Sequence, residues 1–436
     1  LTVKSKAQRQ KMQRLYHLVL VVLALSLTLA SAAVEYEFTT VDWDWDSDCV
    51  RTDYINRGEY VPENCVPSGI KVGEGGQIYV TVPRALTRDG IPSGLNTVHR
   101  KHGESKLGLL RPYPDWETNK VGNCSAIQMP ISMDIDPRTG YMYVIDVGRV
   151  ALLSSTPFNL CPAKIVVLDT RNGGRVVSTH EFPASVVSRT GNFLNDIVLD
   201  YVDPDHVTGV RYAYLSDLLG EQIVVYDFQT NTSWSFKDAR SMGIDNDSLI
   251  TINGQQYNLT LALNGIALSP TFNYLYYSSV GSKKLWQVPT WVLRNKNTDF
   301  SRHVRLVGSK KSNSDALIFG HRGLYYGAMA YNAVYRWEIE KDLLQQGVLE
   351  GEVTLQTETP LAQNWETMQW PDGLSFGNPD TEYLYFFTVK AQQAISGTMD
   401  FTGKSGPNFK IFKIHVNDTS YLTPTVTRFP YIGIIG

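Results

Sequence analysis

The chain has 436 residues, 43% of them hydrophobic and 11% aromatic, enough to bury a large core in one big domain or two ordinary ones. Its 40 basic and 43 acidic residues are interspersed and nearly cancel, giving a formal charge of −3. That composition excludes a disordered polyelectrolyte and offers no basic stripe for phosphate neutralisation, so nucleic acid is not an expected partner.

In chain order, the first signal is apolar. After Met12 the sequence reads MQRLYH and then LVLVVLALSLTLA (18–30), followed by Ser31, Ala32 and Ala33, small residues suited to a cleavage site. The run is too short to span ~30 Å of hydrocarbon. Residues 1–32 are therefore read as upstream sequence plus a secretory signal peptide, with no membrane attachment after cleavage and a secreted, extracellular product. In an oxidising compartment the four cysteines favour disulfides. They allow three pairings; the sequence-local one joins Cys49 to Cys65 and Cys124 to Cys161. No C-x-x-C or neighbouring histidine accompanies them, which argues against a metal cluster. Asn123, Asn231, Asn246, Asn258 and Asn417 each begin an N-x-S/T sequon, the mark of glycosylated surface loops in a secreted chain.

A phrase then recurs. ISMDIDPRTGYMYVID (131–146), NDIVLDYVDPDHVTGVRYAYLSD (195–217), NGIALSPTFNYLYYSSV (264–280), DALIFGHRGLYYGAMA (315–330) and DGLSFGNPDTEYLYFFTV (372–389) share one grammar. An apolar strand opens on a polar or small residue, a turn follows, and a Tyr-rich strand returns. SGIKVGEGGQIYVTV, from Ser68, is a weaker first copy. After each later pair comes a third alternating strand, such as KIVVLD, QIVVYDF, KKLWQV, AVYRWEI or FKIFKIHV. Repeats of several tens of residues signal an array rather than separate domains. The expected architecture is all-β, a six-bladed propeller, with a solenoid as the alternative that the long irregular repeats disfavour. Ring closure requires the two chain ends to share a blade, and EYEFTTVDWDW (35–45) is the candidate closing strand, with Trp43 and Trp45 on one face and Asp42, Asp44 and Asp46 toward water. The expected layout is an N-terminal arm with the closing strand at 33–66, the propeller at 67–416 and a C-terminal tail at 417–436. Only PTWVLRN (289–295) and EKDLLQQG (340–347) suggest short outer helices.

The ordered run GEYVPENCVPSGIKV, IYVTVPR, GIPSGLNTV, LLRPYPDWE, NCSAIQ and CPAKIVVLD, continuing to WPDGLSFGNPDTEYLYFFT, resembles the yellow and major royal jelly proteins over nearly the whole mature chain. The resemblance implies a secreted six-bladed propeller. Members of that family act in cuticle and melanin pigmentation, convert dopachrome, bind biogenic amines or serve as nutritive and signalling proteins. The Cys124–Cys161 pair fits the family pattern, whereas Cys49–Cys65 looks like an addition. In amine-binding members an Asn and a Phe, two residues apart on the returning strand of the final blade, line the pocket. Val389 and Ala391 stand at the corresponding positions, and neither offers the oxygen or aromatic face that a protonated amine needs.

In a propeller the residues that open the inner strands converge on the axis. Here these are Ser68, Ser132, Asn195, Asp196, Asn264, Asp315 and Asp372. Such a ring of oxygens suits either a hard cation, so that Ca²⁺ in the central channel is a candidate cofactor, or a small aromatic or amine ligand held by hydrogen bonds. The same strand starts are similar to those of Ca²⁺-dependent six-bladed lactonases. The bland reading is that they cap strands and hold channel water. For dopachrome chemistry Asp315 and Asp372 are the candidate catalytic groups, with Asn264 as a donor. A non-catalytic extracellular binding, structural or nutritive role is the main alternative.

Other motifs fail on context. GLSFG (373–377) fits G-x-S-x-G, but Asn378-Pro379-Asp380 turns into another strand rather than a helix, which rules against Ser375 as a nucleophile. DWDSD (44–48) lacks the glycine and final glutamate of a Ca²⁺ loop and reads as a solvated edge. The histidines form no H-E-x-x-H or H-x-H pattern, so zinc or copper is not indicated. His321, following an inner strand, is the one expected to approach the channel. Tyr141, Tyr143, Tyr274, Tyr276, Tyr277, Tyr383 and Tyr385 are read as packing between blades.

Overall fold

The structure, a computed structural model, describes residues 32–203 and 209–424. The signal-peptide expectation for residues 1–31 lies outside the described residues.

The recurring phrase folds as a hairpin. In the second blade Pro130–Ile135 turns at residues 137–140 and returns as Tyr141–Asp146, with Met133 opposite Val144 and Ile135 opposite Met142. Asp136 shapes the turn by accepting from the Arg138 N–H at 2.9 Å and the Thr139 hydroxyl at 2.7 Å. Gly140 completes it at φ +76°, where a side chain would be strained. Lys164–Asp169 and Arg175–Glu181 add the third and fourth antiparallel strands.

Six four-stranded sheets of this kind form among the described residues. Their inner strands, in order, are Ile70–Val72, Pro130–Ile135, Leu194–Asp200, Leu263–Leu268, Leu317–Phe319 and Pro371–Phe376. Each packs against the next and the last packs against the first, so the ring closes as a six-bladed β-propeller. Packing between the blades is apolar and aromatic. Tyr143, Tyr276, Tyr277 and Tyr385 are buried between them, while Tyr141, Tyr274 and Tyr383 are half-buried at the outer ends of their strands.

The N-terminal arm closes the ring. Ala33–Phe38 supplies the outer strand of blade 6, pairing antiparallel with Phe409–His415. The remainder of the expected closing strand does something else. Residues 41–45 cross to blade 1, where Trp43 bridges Leu110 and the Asp44 N–H donates to the Leu110 carbonyl at 2.8 Å. Trp43 and Trp45 therefore pack outside blade 1 against Tyr60, Tyr54 and Trp116, not on the last blade. Asp42 and Asp44 are not simply solvated, because they pair with Arg51 and Arg111. Nor is DWDSD an edge: Ser47 caps the helix Asp48–Asn56 by accepting from the Val50 N–H, and Asp48 lies in its first turn where the helix dipole favours an anion. Short helices at Thr290–Leu293 and Ile339–Gln346 match the two expected outer ones.

Cys124 and Cys161 form a disulfide with Cα atoms 5.5 Å apart. The Cys49–Cys65 pairing is wrong: both thiols are free. Cys49 is exposed on the Asp48–Asn56 helix, whereas Cys65 is buried, its Sγ facing the Val61 and Gly90 carbonyls at 3.5 Å. Because the intervening segment spends its length on a helix, the two residues face different environments, and proximity in sequence does not bring them together. Burial pushes the Cys65 thiol up.

The segment expected as a C-terminal tail is, over residues 417–424, a plug. After blade 6 it crosses under the channel. Asp418 accepts from the Arg322 N–H and the Tyr325 hydroxyl in blade 5, and Ser420 bridges Gly320. Tyr421, 4% exposed, packs its ring on Phe272 of blade 4 and reaches blades 3 and 2 with its hydroxyl. That hydroxyl accepts from the Leu199 N–H at 2.9 Å and faces the Leu199 carbonyl at 3.2 Å and Asp134 Oδ2 at 3.3 Å.

Candidate functional site

At the opposite end from the plug, the inner strands begin irregularly. The pairing with the second strand shifts register between Pro130 and Met133, Leu194 and Ile197, Leu263 and Ile266, and Asp372 and Leu374. A bulge takes a residue out of the ladder and re-aims its side chain. The residues so released include Ser132, Asn195, Asp196 and Asn264, while in blade 6 the released residue is Gly373, next to Asp372. Two glycines make room for them. A Cβ on Gly265 would sit 2.3 Å from the Asp315 carbonyl of the next blade, and one on Gly373 would sit 2.8 Å from the Ser68 carbonyl. The polar-Gly-apolar opening of NGI and DGL thus encodes a side chain turned to the axis beside a backbone in close contact with the neighbouring blade.

These side chains line one cavity of about 140 Å³, comparable to an engineered ~150 Å³ cavity known to hold a benzene ring. Ser68, Ser132, Asn195, Asp196, Asn264, Asp315 and Asp372 all border it. Val389 and Ala391 do so too, but not from the returning strand of blade 6 where they were expected: that strand ends at Thr388, Val389 follows it and Ala391 opens the short helix Ala391–Ile395, both contributing hydrocarbon. A smaller space of about 130 Å³, walled by Val66, Leu86, Ala394, Met399 and Phe401, adjoins its mouth.

The carboxylates have unequal surroundings. Asp315 accepts from the Trp370 indole at 2.8 Å and from Asn264, whose own amide oxygen is held by Asn195. Burial nevertheless raises its proton affinity. Asp372 accepts from the Gly373 N–H at 2.7 Å and lies 3.5 Å from the Ser68 hydroxyl. Burial together with the negative charge of Asp315 and Asp196 lifts it well above the usual carboxylate range. Asp196 accepts from the Ser132 hydroxyl at 3.2 Å and the Ile197 N–H at 2.9 Å, and is pushed up to about 6 by burial, restrained by the Lys71 ammonium. The pocket therefore sets Asp196 beside a second carboxyl, Asp372, with a higher affinity for its proton, and carboxyls whose environments push their proton affinities apart suit the two ends of a proton transfer.

Sequence reasoning missed Lys71 and Trp370. Lys71 borders the cavity, ion-paired with Asp134 at 3.3 Å. The available signal was that no other inner strand carries a basic residue. Trp370 sits at φ +48°, just before the inner strand of blade 6, with its indole on Asp315. His321 belongs elsewhere. It lies in the turn after the inner strand of blade 5, at the plugged end, with Nε2 3.0 Å from the Thr423 carbonyl. It does not approach the pocket because the strand separates it from the opening Asp315. Ser375 is buried mid-strand, accepting from the Val72 N–H and donating to the Phe376 carbonyl. For Ca²⁺ the structure offers no support: among the described residues no group of three or more His, Cys, Asp or Glu is arranged to hold a metal ion. All five sequon asparagines are exposed.

Among the described residues no helix is long and apolar enough to cross a membrane. The sequence profile of the major royal jelly protein family matches residues 130–424. Major royal jelly protein 1 of Apis mellifera is 28% identical over 85% of this chain and 84% of its own length. Protein yellow of Drosophila melanogaster is 31% identical over 56% of this chain, and that match spans 45% of the relative. A luciferin-regenerating enzyme shares 11% identity at a TM-score of 0.46, covering 89% of this chain and 97% of that one. With a propeller closed by its N-terminal strand and a family profile spanning more than half its length, the chain belongs to the yellow/major royal jelly protein family.

Proposed function

We propose that this protein is secreted and glycosylated, and that its channel pocket binds a small aromatic molecule in catecholamine-derived pigment chemistry, with dopachrome conversion as the reaction. The observation that carries this reading is the convergence of Asp196, Asn264, Asp315 and Asp372 on one ring-sized cavity, where Asp196 is pushed up to about 6 and Asp372 is lifted well above the usual carboxylate range by burial and its neighbouring carboxylates. In the isomerisation Asp196 takes a ring-side C–H proton. The electron pair moves through the conjugated ring, and a quinone oxygen receives the Asp372 proton. This first transfer breaks one C–H bond and forms one O–H bond, giving a quinone-methide tautomer; loss of a second ring-side C–H proton and protonation of the other quinone oxygen complete the dihydroxyindole, two C–H bonds exchanged for two O–H bonds with no net oxidation or reduction. The charge of Asp315 raises the proton affinity of Asp372, and Asn264, hydrogen-bonded to Asp315, helps hold the ligand oxygen.

The test is the decay of dopachrome absorbance with pure protein against buffer. The expected rate exceeds buffer, rises with pH through about 6 as Asp196 ionises, and falls at least ~10²-fold in Asp196→Asn. Decay no faster than buffer overturns the enzymatic reading. Val389 and Ala391, which leave the family's amine-contact positions without an oxygen or aromatic ring, bear on the alternative of a non-catalytic amine binder. Calorimetric titration with dopamine, serotonin and octopamine decides it, since a binder gives heat without turnover.

A further inference from the structure

Lys71 stands alone in charge. Among the described residues lining the pocket it is the only basic one, set beside Asp196, Asp315 and Asp372. Its ammonium is held from behind: Asp134 Oδ1 lies at 3.3 Å and the Leu374 carbonyl at 3.3 Å. Asp134 is fixed in turn, 6% exposed, with its other oxygen facing the hydroxyl of Tyr421 in the plug. An ammonium has three N–H groups. With two tied to the wall, one remains for whatever fills the cavity. Asp196 is close enough for the Lys71 charge to act on its carboxyl, and its oxygens are otherwise met by the Ser132 hydroxyl and the backbone N–H groups of Ile197 and Ile266.

A pocket that offers a fixed cation next to an anion is complementary to a ligand that carries both charges in the opposite sense. A simple amine satisfies Asp196 but strands the remaining Lys71 N–H in a desolvated space, which is costly. A simple acid strands Asp196. We propose that Lys71 is the specificity-determining residue of the pocket: it binds the carboxylate of a small aromatic ligand derived from an α-amino acid while Asp196 faces the adjacent nitrogen and α-C–H, so the pocket selects a carboxylated ligand over a bare amine. This rests on the reading above that the pocket takes a small aromatic molecule.

L-Dopa and dopamine differ by the one carboxylate and make the experiment clean. Both are titrated calorimetrically, under argon at pH 7.5, into wild-type protein, Lys71→Met and Lys71→Arg. Wild type is expected to bind L-dopa at least about tenfold tighter than dopamine, the scale of one charge-assisted hydrogen bond. Lys71→Met should lose that preference, bringing the ratio of the two affinities to within about twofold, and Lys71→Arg should retain most of it. Equal binding of the two probes by wild type, or a Lys71→Met variant that keeps the wild-type ratio, overturns the carboxylate assignment and leaves the aromatic-ligand reading standing. Heat from neither probe overturns both. Should Lys71→Met fail to fold, the wild-type ratio and Lys71→Arg still decide the matter.

Discussion

The two ends of the channel are built from the same six inner strands and are opposites. At the strand starts, bulges take Ser132, Asn195, Asp196 and Asn264 out of the ladder, and these side chains border one hollow with Asp372. Four to five residues further on the pairing is regular, the surroundings are Leu199, Phe272 and Phe319, and the hole is filled by Tyr421. The chain uses its two termini for different closures. Residues 33–38 complete the ring, and residues 417–424 stop its bore. The difference teaches that ring geometry alone makes a channel with two mouths. The plug converts it into a vessel with one.

If that contrast is right, substitutions at the two ends should change stability with opposite sign. The largest effect is expected at the plug. Tyr421→Ala removes a buried ring from Phe272 and a hydroxyl that serves Leu199 and Asp134, which should cost about 4 kcal/mol in denaturant unfolding. A loss under about 1 kcal/mol would mean that the segment only rests against the channel. At the pocket the next effect is a gain. Asp196 has a folded affinity for its proton raised from 3.8 to about 6, so the native state binds more protons than the unfolded one between those values. Its contribution is fully present below the unfolded value and is lost as pH rises through about 6. Asp196→Asn should therefore raise stability at pH 7 by up to about 3 kcal/mol and flatten that part of the pH–stability curve. Equal stability of the two proteins from pH 4 to 7 would show that Asp196 is solvated.

Much of the open end was legible in the sequence and almost none of the closed end. The repeated phrase exposes the strand starts because a polar residue before Gly265 or Gly373 breaks an otherwise apolar pattern, and residues from all six starts border the cavity. Closure by the N-terminal strand follows from ring topology. The plug does not, since NDTSYLTP has no periodicity and its partners lie hundreds of residues away. His321 was misplaced for the same reason: nothing local says which end of a strand faces a pocket. Cys49 and Cys65 were paired by proximity, which ignores the helix between them. Lys71 was hidden because its strand is short and its role depends on Asp134 and Leu374, contributed by other blades.

The smallest effect sharpens the open end rather than testing its existence. Trp370, 1% exposed, donates its indole N–H to Asp315 Oδ2 at 2.8 Å, and this bond steadies the charged form of Asp315. Trp370→Phe keeps most of the ring and deletes the donor. Asp315 should then hold its proton to higher pH, and because its charge is part of what lifts Asp372, the Asp372 carboxyl should release its own proton more easily. The two groups titrate as a pair, so the expected result is an upward shift of about one unit in the lower apparent step and a narrower gap to the upper one. Carbon-13 NMR of labelled aspartate carboxyls follows both steps without any ligand. An unchanged pair of steps in Trp370→Phe, with the fold intact, would make the indole a packing element and leave burial alone to account for the acid at the mouth of the channel.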